Sequence, residues 1–144
     1  TRAVDWVGRQ SGKFFAWVHV YDPHSPYRPP QDLLSQYSQQ PYHGEVAFVD
    51  RALGPLLDRL ASLPRPTLVI VTADHGESLG EHGELTHGMF AYEPTLRVPL
   101  IVKQPNGEGA GRRVGAPGQD IDLVPTILEL VKTSIPGGLR GRSL

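Results

Sequence analysis

The chain contains no cysteine. That excludes disulfides, thiolate metal sites and a cysteine nucleophile within these residues, and it leaves the redox compartment unread. No run approaches the roughly 20 apolar residues needed to span a bilayer, so no membrane span is expected. The first residues, Thr1-Arg2-Ala3-Val4-Asp5-Trp6, lack the cationic-then-apolar layout of a signal peptide, and there is no initiator Met. A piece of a longer chain is the expectation. Charge of one sign is missing too: 14 Lys+Arg against 15 Asp+Glu give a net charge of -1. A whole-domain electrostatic grip on nucleic acid or on anionic membrane is thereby disfavoured.

What is present is enough for one globular domain. The 144 residues are 39% hydrophobic and 20% charged, too apolar for a disordered chain. Gly 16 and Pro 14 are the outliers, and they predict many loops between few regular elements. Thr1 is read as the cap of a short helix ending near Gln10. Phe14 to Tyr21 is apolar, aromatic and β-branched at nearly every position, which predicts a strand covered on both faces. Asp22 to Pro30, with four prolines, ends it as a stiff loop.

Tyr42 to Leu63 carries helical spacing (Val46, Val49, Leu53, Leu56, Leu57, Leu60), with a kink or a break expected at Gly54-Pro55. Thr67 to Ala73 is a second buried strand and Arg97 to Lys103 a third, near an edge because of Pro99. Arg112-Arg113-Val114 offers a further short strand. Asp122 caps a last helix, Leu123 to Val131, and Gly137 to Leu144 reads as a tail. The class is α/β, with a mostly parallel sheet flanked by helices.

All six histidines lie between residues 19 and 87. Asp74-His75 follows directly on a predicted parallel strand, where open α/β sheets place ligands, and a carboxylate beside an imidazole can bind one metal. The bland alternative is a loop from Glu77 to Thr86 whose acids and histidines merely face water. The strand-end position and the glycine punctuation favour the site. No His-Glu-x-x-His occurs, so a zinc-protease helix is out. Asp22-Pro23-His24 repeats the pattern after the first strand, where a stiffened histidine suits anion contact or proton donation. A turn histidine bonded to a backbone carbonyl is the equal alternative. His19, inside the strand, is read as a core histidine, and Trp17 and Tyr42 as core or rim aromatics. Ser62-Leu63-Pro64-Arg65 reads as a plain connection.

Three segments resemble the sulfatase family of the alkaline-phosphatase superfamily. They are Phe14 to Tyr27, Gly44-Glu45-Val46-Ala47-Phe48-Val49-Asp50, and Val71-Thr72-Ala73-Asp74-His75-Gly76-Glu77 running on to Arg97-Val98-Pro99-Leu100. Asp120 to Thr126 is similar to the family's late helix. The resemblance implies that Asp74 and His75 are metal ligands, and that His24 and His87 contact the sulfate group and carry catalysis. It implies an incomplete alkaline-phosphatase-like fold over residues 1–144: the C-terminal portion of the catalytic domain, without the nucleophile-bearing N-terminal part. Formylglycine is then expected in that missing part, since no Cys/Ser-x-Pro-x-Arg motif occurs here.

The metal implied is divalent: calcium, or manganese or zinc given the nitrogen of His75. The implied partners are a sulfate-ester small molecule or glycan and the rest of the catalytic domain. By analogy, the location is periplasmic or extracellular. A phosphoester or phosphonate-ester hydrolase of the same superfamily stays open, as does a non-catalytic anion- or partner-binding module. Two structural expectations follow. The four site residues should converge at one end of the sheet, and one side of the sheet should expose apolar surface.

Overall fold

The computed structural model describes residues 2–144, so the capping role read for Thr1 lies outside the described residues. Two compact units divide the chain evenly, residues 1–69 with 104–106 and residues 70–103 with 107–144.

The first unit is helical. Helices α1 (Arg2–Gly8) and α2 (Gln31–Gln36) both pack on α3 (Pro41–Ala61). Val7, Leu33 and Leu56 are the hydrophobic residues buried there. Pro29-Pro30 ahead of α2, and Pro41 opening α3, place proline where a helix start has no hydrogen bond to lose. α3 runs unbroken through Gly54-Pro55, so of the kink or break expected there the break does not occur. A glycine before the proline removes the Cβ that would otherwise crowd the ring. After α1, Phe14 meets Trp6 edge-on at 5.6 Å, and the Arg65 guanidinium lies 5.3 Å over the Phe14 ring.

The second unit holds the sheet: β1 (Val69–Thr72, its first residue at the unit boundary) pairs antiparallel with β2 (Leu100–Lys103). The α/β class holds, but this pair is not one of the parallel pairings expected. A parallel neighbour needs a crossover that returns along the strand, usually a helix. Between β1 and β2 the described chain has a 3₁₀ turn (Glu81–Gly83) and α4 (Glu93–Leu96), each a single turn. Arg112 to Val114 is not a strand. It follows turns at residues 108–111, where Gly107, Gly109 and Gly111 have positive φ.

Phe14 to Tyr21 likewise joins no ladder, and the residues read as doubly covered are exposed, Trp17 at 77% and Phe15 at 69%. His19 is exposed as well, not a core residue. The composition calls for burial on both faces, and among the described residues nothing supplies it. The solvent-accessible surface makes the same point. Two separate globules of half this mass would expose about 8,800 Å² in all. This chain exposes 10885 Å².

α5 (Leu123–Leu130) begins as expected, though Asp122 does not cap it in the expected way. A 3₁₀ turn, Asp120–Asp122, precedes it. The Asp122 carboxylate reaches back to the Gln119 N–H (3.0 Å) and out to the Arg142 N–H (2.9 Å). The Thr126 hydroxyl donates to the Asp122 carbonyl (2.6 Å) and accepts from the Leu144 N–H (3.1 Å). The tail is therefore strapped onto α5. The Arg142 and Gln119 N–H groups hold the Asp122 carboxyl below its ordinary value of 3.8. A lowered carboxyl stabilises above its unfolded value and ceases to as pH falls through the folded one. Protection of the amides of residues 140–144, taken relative to their intrinsic exchange rates, should be high at neutral pH and fall as acid protonates Asp122, and in Asp122→Asn it should already be low at neutral pH.

Candidate functional site

Asp74 and His75 stand two and three residues past the end of β1, as the sequence predicts. Gly76 decides how the turn is made. Its N–H donates to the Thr95 carbonyl (2.8 Å), and a Cβ there would overlap the Pro94 carbonyl oxygen. Only glycine lets the β1 turn lie against α4. Thr95 is buried and its hydroxyl donates to the Tyr92 carbonyl (2.9 Å), so the α4 side of the contact is fixed in turn.

The Asp74 carboxylate accepts from the His75 N–H (3.1 Å). Nδ1 of His75 lies 2.9 Å from the Gly76 carbonyl oxygen. A carbonyl only accepts, so this geometry assigns the ring proton to Nδ1 and leaves the lone pair on Nε2. A backbone carbonyl holding one ring nitrogen while the other faces the ion is the usual arrangement of metal-binding histidines. Nε2 lies 3.9 Å from Asp74 Oδ1, and both side chains are exposed. Ligands ~2.1 Å from one tetrahedral ion lie about 3.4 Å apart, so the pair would close by about half an ångström to share a cation. The donor set is partial: among the described residues, no group of three or more His, Cys, Asp or Glu is placed to hold a metal.

His87 joins this pair. Its ring centroid is 4.0 Å from that of His75, at 32° between planes. Its Nδ1 lies 3.0 Å from Oε1 of Glu77, whose side chain is only 6% exposed. The sequence reading did not single out Glu77, and the signal available was its place directly after Asp-His-Gly.

The loop from Glu77 to Phe90 is not a strip of solvated acids. Glu81 accepts from the Leu79 N–H (2.6 Å), which pulls its carboxyl below the ordinary glutamate range. Buried Glu84 accepts from the N–H groups of Met89 (3.0 Å) and Phe90 (3.2 Å). Ser78 is fully buried, donating to the Glu81 carbonyl (3.2 Å). These carboxylates tie down backbone donors that no helix or strand employs. Glu81 and Glu84 therefore do more than face water, while Glu81 and His82 stay exposed.

His24 belongs to the first unit. Its Nδ1 lies 2.7 Å from the Ser25 carbonyl oxygen, so it too carries its proton there, and its ring stacks on Tyr21 at 4.4 Å. Its backbone N–H donates to the Glu45 carboxylate on α3 (3.0 Å). Both peptide bonds to the flanking prolines, Asp22–Pro23 and Ser25–Pro26, are cis. The structure thus gathers Asp74, His75 and His87 in one unit and gives His24 a defined seat in the other.

A family model, Sulfatase, matches residues 1–133. The chain belongs to the sulfatase family. Among relatives of this sulfatase chain, the Escherichia coli (strain K12) protein named "Uncharacterized sulfatase YidJ" is 38% identical over 98 residues, 67% of this chain and 19% of that protein. "Multifunctional alkaline phosphatase superfamily protein PehA" of Trinickia caryophylli is 36% identical over 107 residues, 72% of this chain and 20% of that protein. A solved structure, BT4656 in complex with its substrate D-glucosamine-2-N,6-O-disulfate, superposes with a TM-score of 0.57 at 29% identity, covering 83% of this chain and 25% of that one. The sulfatase chain spans about a fifth of the length of the curated relatives it matches. Sulfatases generally use a metal ion and formylglycine. Among the described residues, no helix is long and apolar enough to cross a membrane.

Proposed function

We propose that the chain is the C-terminal portion of the catalytic domain of a metal-dependent sulfuric-ester hydrolase, and that Asp74 and His75 are metal ligands. The observation that carries this reading is the Asp74–His75 pair, locked by Gly76 against α4 with the His87 ring at 4.0 Å. A sulfate ester presents charged nonbridging oxygens, and its leaving oxygen gains charge as the bond to sulfur breaks. Imidazoles and a cation at fixed positions offset that charge without reorganising.

A bound divalent ion would act as a Lewis acid on one of those oxygens. His24 and His87 contact the sulfate group, and one of them delivers a proton to the leaving alkoxide oxygen. The nitrogen ligand of His75 favours manganese or zinc over calcium, which prefers oxygen. The nucleophile, a formylglycine, lies in the remainder of the catalytic domain. The exposed Phe15, Trp17 and Tyr21 support such a remainder, because they form the apolar surface it would cover.

The substrate class is a sulfate ester on a small molecule or a glycan. A sulfated sugar in the superposed structure supports the glycan. The second reading, a phosphoester or phosphonate-ester hydrolase, is favoured by one feature, the mixed nitrogen–oxygen pair Asp74–His75.

The 144-residue polypeptide by itself should not hydrolyse an aryl sulfate in excess manganese, zinc or calcium. Turnover by it that Asp74→Ala abolishes would overturn the placement of the nucleophile outside these residues.

A further inference from the structure

The Asp22–Pro30 loop that carries His24 contains four prolines, which give it no N–H at those positions, and it has no helix or strand. Two of its remaining N–H groups converge on one side chain. The His24 N–H donates to Oε2 of Glu45 (3.0 Å) and the Arg28 N–H to Oε1 (2.5 Å). Glu45 sits in the second turn of α3 and is 3% exposed. Burying a carboxylate is costly unless its oxygens are satisfied, and here each oxygen has a backbone donor.

The neighbouring residues make room for the same contact. A Cβ on Gly44 would stand 2.8 Å from Pro29 Cγ, so only glycine lets the loop press onto the helix. The Tyr27 ring meets Tyr42 edge-on at 5.5 Å. Tyr42, Gly44 and Glu45 together form a seat on one helix end for one loop.

We infer that Glu45 is a positioning residue for His24: it fixes the histidine's backbone, while the Ser25 carbonyl fixes its ring. This rests on the role proposed above for His24. A carboxylate is required because both partners are donors. Glutamine has the same shape but offers one acceptor oxygen, and turns an N–H₂ toward the second N–H.

The test is a double-mutant cycle on kcat/KM for an aryl sulfate, in the full-length protein. His24→Ala is expected to lower kcat/KM about 100-fold. Glu45→Gln should lower it about 10-fold through displacement of the loop. If Glu45 acts through His24, the double variant should be no worse than His24→Ala alone. Glu45→Asp, which keeps both acceptors, should recover part of the loss seen in Glu45→Gln.

Independent effects, multiplying to about 1,000-fold in the double variant, would overturn the positioning role and leave His24 standing. No effect of His24→Ala would overturn the reading of His24 itself and the positioning role with it. A Glu45→Gln protein that melts below the assay temperature would make Glu45 a folding residue, which also overturns the inference.

Discussion

Asp74→Ala in the full-length protein should weaken divalent-metal binding by about 100-fold or more and remove ester hydrolysis, while leaving the melting temperature almost unchanged. The Asp74 side chain is 81% exposed, and its polar contacts are to His75, the backbone N–H at 3.1 Å and Nε2 at 3.9 Å. Exposed side chains with so little packing contribute within about 0.5 kcal/mol to stability. A ligand position behaves oppositely, since losing a carboxylate removes both a donor and a full charge from the ion's surroundings. Displaced supporting groups alone cost 10- to 100-fold in affinity, so a lost ligand costs at least that. Calorimetric titration with manganese or zinc, beside a thermal melt of the same protein, separates the two. Equal metal affinity of wild type and Asp74→Ala/His75→Ala would remove these residues from the metal site.

Gly76→Ala should be strongly damaging for so conservative a change. The new Cβ would overlap the Pro94 carbonyl oxygen, which is backbone and has no rotamer to give. Either α4 moves or the turn after β1 does. In both cases the Gly76 N–H to Thr95 carbonyl bond is stretched or lost. Overpacking of this kind costs about 3 kcal/mol, and the displaced turn carries Asp74 and His75 with it. The expected result is a melting temperature lowered by several degrees together with weakened metal binding. Gly12→Ala is the matched control: nothing lies within 4 Å of a Cβ there, so it should be close to neutral. Equal melting temperatures for the two variants would show that the close approach of Gly76 to α4 does not hold the turn.

The elements legible in the sequence are those whose signal is local. α3 has six apolar residues at helical spacing, β1 and β2 are short β-branched runs, and α5 starts behind an aspartate and a proline. Asp74 and His75 were legible because Asp-His-Gly stands at the end of a strand and the loop behind it is rich in glycine, and His87 only through the family resemblance. The structure adds why the glycine is there, which depends on Pro94, eighteen residues away in sequence.

Phe14 to Tyr21 shows the opposite case. Its composition reports the burial it is built for, whereas a ladder needs partner strands that composition cannot supply. The α2 and α4 helices escaped because six and four residues are too few to show a period. The buried carboxylates Glu45, Glu77 and Glu84 escaped for another reason. A glutamate in sequence reads as a solvated charge, and these three are defined by donors brought to them by the fold.

The parallel majority expected for the sheet is not found in the β1–β2 pair. The sequence carries no sign of strand direction there beyond the lack of a long crossover helix between them. The exposed apolar row and the surface in excess of two compact units are what the proposal of a core completed by the rest of the catalytic domain expects.

The most direct measurement is kcat/KM of the full-length protein for one aryl alcohol esterified with sulfate and with phosphate, each with and without Asp74→Ala. The sulfate ester should be the better substrate, and its hydrolysis should disappear in the variant. A higher kcat/KM for the phosphate ester, or sulfate hydrolysis that survives Asp74→Ala, would contradict the assignment of this chain to a metal-dependent sulfuric-ester hydrolase.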